Sequence, residues 1–192
     1  AYPSTAADMK GLMKSAYYDP NPVVFFEHKG LYWSKMKGTE NAKTTMPDAD
    51  YVVPFGKAKS VLEAEESKIN NGESLLVVSY GMGVHWAKEA ITKLQIEADI
   101  LDLRTLVPLD TESIYATVRK TGKALVLHED TMFGGIGGEI ASLINENCFE
   151  YLDAPVKRIA SIDTAVPFHP KLEKSFLPQE RLEQAVEDLL KH

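Results

Sequence analysis

The stretch Gly134-Gly135-Ile136-Gly137-Gly138-Glu139 leaves an apolar run and opens a helical one. Unbonded backbone N–H groups and the helix dipole at such a junction can hold an anion. A dinucleotide fingerprint follows the first strand of its unit, with an acidic residue about 20 positions on. This loop follows a late strand, and Glu139 would face the anion. A tight packing turn that exploits the missing Cβ of glycine and a ligand loop therefore both remain open. His128, Glu129 and Asp130 stand at the carboxyl end of the preceding run, where open parallel sheets bind ligands. They could do acid and base work, or form a hydrogen-bonded or interface cluster. Neighbouring side chains on a strand alternate in direction, so all three converge only if the chain bends.

Other reactive side chains read more plainly. Arg104 suits an ion pair within the fold, with a carboxylate or phosphate clamp as the alternative. His85, just after Gly81-Met82-Gly83, suits a capping or interface role. Cys148 lies on an apolar helix stripe, as a buried inert thiol does. No Ser, His and Asp arrangement and no zinc-ligand spacing can be assembled. Asp19-Pro20-Asn21 is a turn former whose oxygens are of the hard kind that alkali and alkaline-earth cations accept.

These residues need a scaffold, and the composition supplies one. The 192 residues are 44% hydrophobic and 26% charged, the balance of a soluble globular chain with a core and room for an appendage. With 28 acidic and 21 basic residues the formal charge is -7, which repels phosphate backbones and argues against nucleic acid. A single cysteine excludes an intrachain disulfide and fits a reducing compartment, cytoplasm or mitochondrial matrix. No apolar run reaches the roughly 20 residues of a membrane span, and no secretory signal opens the chain. The chain starts at Ala1 inside a helical pattern, as expected of a truncated or processed product.

Residues Ser4 to Tyr18 predict a helix with Ala6, Met9, Leu12, Met13 and Ala16 on one face and a capping-box-like start at Thr5 and Asp8. Val23 to Phe26 predicts a strand buried on both faces, and Ser34 to Asp50 a polar linker. Strands are then expected at Leu75–Val78, Ile100–Leu103, Ala124–Leu127 and Val156–Ile162. Between them run helices striped by Val84, Ala87, Ile91 and Leu94, by Ile114 and Val118, and by Ile140, Leu143, Ile144 and Cys148. Asp110 is read as an N-cap, Gly122 as a helix stop, and Pro178 as the first turn of a final helix. The alternation gives an α/β fold, a mainly parallel sheet with helices on both faces.

The stretches Met9 to Ser15 (MKGLMKS), Asp19 to His28 (DPNPVVFFEH), Tyr51 to Lys59 (YVVPFGKAK), Ser79 to Val84 (SYGMGV), Asp102 to Asp110 (DLRTLVPLD) and Ala154 to Ala160 (APVKRIA) occur in one register. Together they resemble the beta subunit of pyruvate and branched-chain 2-oxo acid dehydrogenases. Transketolase and deoxyxylulose phosphate synthase resemble the chain less. The resemblance implies a transketolase-like C-terminal domain at 56–192, a linker at 35–55, and at 1–34 a helix-strand tail of the pyrimidine-binding domain. It implies that the catalytic glutamate and histidine lie upstream of Ala1, and that thiamine diphosphate and magnesium are held with the alpha subunit or a fused alpha half. The chain alone would then carry no catalytic or cofactor-binding residue and be inactive. The intact parent would decarboxylate a 2-oxo acid and acylate a lipoyl group. A potassium site maps onto Ala16, Asp19 and Asn21. The implied partners are a second beta subunit and the peripheral subunit-binding domain of the acyltransferase, which would meet an acidic face at Glu180, Glu183, Glu187 and Asp188. The competing class is an autonomous nucleotide- or anion-binding module built on His128, Glu129, Gly135, Gly137 and Gly138.

Overall fold

The apolar runs assemble, in a computed structural model describing residues 1–33 and 36–192, into one five-stranded sheet. Along the chain come α1 (Ala6–Tyr18), α2 (Lys29–Tyr32), β1 (Lys59–Leu62), α3 (Glu66–Asn70), β2 (Ser74–Ser79), α4 (Met82–Leu94) and β3 (Glu97–Asp102). There follow α5 (Thr111–Thr121), β4 (Ala124–Thr131), α6 (Gly137–Cys148), β5 (Lys157–Ser161), α7 (Pro170–Phe176) and α8 (Gln179–Leu190). The strand order is β1-β3-β2-β4-β5, with β3, β2, β4 and β5 parallel and β1 antiparallel on the β3 edge.

The centre of the sheet follows from strand periodicity. Every residue of β2 is buried. Leu75 and Val77 join the core under α4 and α8, whereas Leu76 and Val78 join the one under α5 and α6. Successive side chains leave a strand on opposite faces, so an unbroken apolar run needs cover on both. Each such side chain stabilises the fold by about 1.5–3 kcal/mol. Thr5 caps α1 by accepting from the Asp8 N–H, and Asp110 caps α5 by accepting from Ser113. Gly122 closes α5 at φ 70°, a left-handed position that glycine takes without strain.

Three local expectations need correction. Val23–Phe26 is not a strand of the sheet: Val24 and Phe26 are more than half exposed, and the ladder bonds they make run to Ala1. A single paired residue does not make a buried strand. The buried face of α1 is Asp8, Gly11 and Leu12, not the full stripe, and Met13 is exposed. Pro178 takes the cap position, and the helix itself begins at Gln179. The edge strand β1 and the short α3 and α7 were not foreseen. β1 reads Lys-Ser-Val-Leu and is half exposed, so it carries little of the alternation that marks a strand.

The boundary expected between residues 34 and 35 lies outside the described residues. The polar segment beyond it has one short 3-10 turn at Glu40–Ala42, and its later part is bound along α1. Lys10 Nζ donates to the Pro47 and Asp48 carbonyls at 2.6 and 2.9 Å, and Val53 N–H to Gly11 at 3.2 Å. At the other end, the acidic residues of α8 are largely matched by lysines. Glu183 meets Lys93, Glu180 meets Lys174 and Asp188 meets Lys191 at 2.6–2.8 Å.

Candidate functional site

Chain order decides where a cleft can form. From β2 the chain crosses to β3 on one side, and from β3 it returns to β4 on the other. The connections therefore diverge above the carboxyl ends of β2 and β4, leaving the crevice in which open α/β sheets bind ligands. Here that crevice is a cavity of about 410 Å³. Tyr80 follows β2, and Glu129, Asp130 and Thr131 end β4. Tyr2, Phe26, Leu106, Val166, Glu173, Phe176 and Leu177 complete its lining.

The rings are in contact, with Tyr2 stacked on Phe26 and tilted against Tyr80. Tyr2 lies 5.8 Å from Phe26 and 5.2 Å from Tyr80, and Tyr80 lies parallel to His128 at 6.5 Å. Gly81, at φ 54°, is what admits Tyr2: a Cβ there would stand 2.4 Å from the Tyr2 ring. Burial, then the nearby charges of Glu129 and Asp130, pushes the Tyr2 phenol up to about 12. The Tyr80 phenol is raised chiefly by burial as well.

The residues at the end of β4 separate as the pleat demands. His128 turns inward and is fully buried, Glu129 reaches His28, and Asp130 stays exposed. His28 Nδ1 accepts from the Gly30 N–H at 3.1 Å, so the hydrogen sits on Nε2, 3.0 Å from Glu129. Neither ring nitrogen of His128 makes a well-formed hydrogen bond among the described residues, and burial pushes its pKa down against the charge and backbone of Asp130. The ring lies under the glycine loop. A Cβ on Gly135 would come within 2.5 Å of His128 Cε1, and one on Gly137 within 2.4 Å of Nε2. In this geometry the small size of the loop residues makes room for the imidazole. Gly138 N–H is itself bonded to Gly135 at 3.2 Å. Gly137→Ala is accordingly expected to destabilise by about 1–3 kcal/mol through overpacking. Chemical denaturation of the single and double variants checks this, since Gly137→Ala with His128→Ala should cost less than the two changes summed.

Beneath the cleft a charged cluster fastens α1 to the sheet. Asp8 is fully buried, 3.2 Å from Arg104 Nη1 and 3.6 Å from Lys59, and Thr5 Oγ1 donates to it at 2.6 Å. Arg104 also donates to the Lys57 carbonyl at 2.7 and 3.0 Å and to Ala58 at 3.2 Å. Its own backbone is left-handed, φ 56°, a conformation that costs about 1–2 kcal/mol outside glycine and must be imposed by such bonds. Fully buried Asp102 accepts from Ser4 Oγ and from the Arg104 N–H at 3.0 Å. Burial first, and the charge of Asp8 among the lesser causes, raises it to about 7. His85 Nε2 lies 2.8 Å from the Ser4 carbonyl and is kept neutral by burial. Arg104 and His85 are thus joints between the amino-terminal segment and the sheet.

The remaining candidates are placed as follows. Cys148 is buried and its thiol is raised by burial. Asp19 Oδ1 accepts from the Asn21 backbone and side-chain N–H groups at 2.9 and 3.1 Å, so this turn, next to Ala16 at the end of α1, satisfies itself. A cation there would need the Asn21 amide turned to present oxygen. Among the described residues no group of three His, Cys, Asp or Glu is poised to hold a metal, and no helix is long and apolar enough to cross a membrane. Tyr2, Phe26 and Tyr80 were missed as cleft residues, and His28 as the partner of Glu129. Their one sequence signal was that most sit inside the quoted motifs, next to Gly81 or Glu27.

Residues 65–181 match the family model described as transketolase, C-terminal domain. The 2-oxoisovalerate dehydrogenase subunit beta of Bacillus subtilis is 42% identical over 192 residues, 97% of this chain and 54% of that protein. The pyruvate dehydrogenase beta subunit of Rickettsia bellii is 38% identical over 93% of this chain and 51% of that protein. The mitochondrial pyruvate dehydrogenase beta-1 subunit of Oryza sativa is 36% identical over 98% and 46%. The chain spans about half the length of the curated relatives it matches. A split-gene transketolase, solved as an inactive beta4 tetramer, has the same fold: TM-score 0.68 at 21% identity, over 98% of this chain and 56% of that one.

Proposed function

This chain belongs to the transketolase C-terminal domain family, and from that premise we propose that it is the carboxy-terminal half of a 2-oxo acid dehydrogenase beta subunit, serving assembly rather than the chemical step. One observation carries the reading. Identity to beta subunits extends over 97% of the chain, well beyond the residues that match the family model. It therefore includes α1 and the segment bound along it. In this reading residues 1–34 are the tail of a pyrimidine-binding domain, 35–55 the connection and 56–192 the assembly domain.

The partners are a second beta subunit, an alpha subunit or fused alpha half, and the acyltransferase's peripheral subunit-binding domain. The working compartment is the cytoplasm, or the mitochondrial matrix in a eukaryote. Thiamine diphosphate, with magnesium, would supply the decarboxylating chemistry of the whole enzyme. The residues of this chain are read as lying outside that cofactor's cradle, a reading supported by the packing on His128 of the glycine loop that could meet a diphosphate. Their role is mechanical. Arg104 and Asp8 fix α1 on the sheet, and Tyr2 and Phe26 close the cleft against Tyr80.

Calorimetry with magnesium and thiamine diphosphate tests this: no saturable heat is expected from the chain alone. Micromolar binding would place the active site inside it and end the proposal. The same reading puts potassium at Ala16, Asp19 and Asn21, with the Asn21 oxygen turned inward. In the intact parent, potassium in place of sodium should then raise the melting temperature by a few degrees, as a ligand specific to the folded state does. Asp19→Ala should abolish the difference, and equal melting in both salts would remove the ion from that turn.

A further inference from the structure

We infer that the cleft above β2 and β4 binds an organic cation of the alkylammonium or guanidinium class, either a free small molecule or a lysine or arginine side chain presented by another protein. The inference does not rest on the proposed function. It begins with the cleft's lining, which joins aromatic faces to carboxylates of one sign. Phe26, Tyr2 and Tyr80 form a continuous wall of rings 5.2–5.8 Å apart. Glu129 and Asp130 at the end of β4 and Glu173 of α7 line the same cavity. Among the described residues, no lysine or arginine lines the cavity.

His28 meets Glu129 alone, at 3.0 Å through Nε2, whereas Asp130 and Glu173 have no ion pair among the described residues. Ring faces carry negative electrostatic potential and attract desolvated cations. A compact hydrated metal ion could use the carboxylates but not the rings, whereas an alkylammonium or guanidinium group uses both. The volume of about 410 Å³ falls in the range of roughly 300–1,000 Å³ usual for small-molecule sites. The location is the switch point at which open parallel sheets take ligands.

Titration calorimetry of the protein with choline, with Nα-acetyl-arginine methylamide and with neutral 3,3-dimethylbutan-1-ol tests the inference. At least one cation should bind saturably, about tenfold or more tighter than the neutral alcohol, and more weakly as salt is added. Asp130→Asn and Glu173→Gln lie on exposed positions that the core does not need, and each should weaken binding by about three- to tenfold. Tighter choline binding identifies a free quaternary ammonium ligand, and tighter binding of the arginine derivative identifies a partner's side chain. Absence of saturation with both cations at millimolar concentration, equal affinity for the neutral alcohol, or affinity unchanged in both variants would each overturn it.

Discussion

Asp8→Ala is expected to cost about 3–5 kcal/mol of folding stability, the range for breaking a buried pair and leaving the other charge uncompensated. Asp8 is fully buried, and the Arg104 side chain that faces it is 10% exposed. Removing the carboxylate leaves the guanidinium with the Lys57 and Ala58 carbonyls alone and Lys59 without its partner. It also releases Thr5, whose hydroxyl donates to Asp8 at the start of α1. Urea denaturation should show a lower midpoint at unchanged slope, the signature of lost stability rather than of a changed unfolded state. Replacing Arg104 by methionine in the Asp8→Ala background should recover part of the loss, because the guanidinium is then no longer left buried without its carboxylate. A loss under about 1 kcal/mol, the scale of a surface pair, would show that the cluster does not fasten α1 to the sheet.

The second large effect is a pH dependence that Asp102→Asn removes. Asp102 ionises near 3.8 in an unfolded chain and near 7 in the folded one, chiefly because burial disfavours the carboxylate. A raised acid binds its proton more tightly when folded. Its contribution is therefore fully present below about pH 4 and is lost progressively up to about pH 7, above which the loss is constant. The interval corresponds to roughly 4 kcal/mol as an upper figure. Asparagine keeps the shape of the protonated acid and can face Ser4 Oγ and the Arg104 N–H without charge. Measured from pH 4 to pH 8, the stability of Asp102→Asn relative to the wild type should rise by several kcal/mol. A difference independent of pH would mean that Asp102 is held ionised throughout.

Both effects concern residues whose importance the sequence only half disclosed. Asp8 was legible as a partner of Thr5 in a capping pattern, because that interaction is local. Its pairing with Arg104, 96 positions away, was not. Arg104 was legible as an ion-pair residue and His85 as an interface residue, yet neither partner could be named. Distance along the chain, rather than chemistry, hid them. His128 shows the same limit: its position at a strand end was readable, but only packing brought Gly135 and Gly137 over the ring.

Periodicity by itself determined the parallel strands and the long helices, and local signals the caps at Thr5, Asp110 and Gly122, since all of these act within a few residues. The motifs in register by themselves pointed to the family. Tertiary structure alone decided the strand order, which puts β2 at the centre and opens the crevice above β2 and β4. It alone paired the weakly patterned β1 with β3, where a partner's backbone outweighs poor alternation. It also denied Val23–Phe26 a place in the sheet, because an apolar run becomes a buried strand only where neighbours exist on both sides to bond and cover it. The aromatic and acidic cleft has the same origin. Tyr2, Phe26, Tyr80, Glu129 and Glu173 come from five separate stretches of chain and meet only because the sheet ends there.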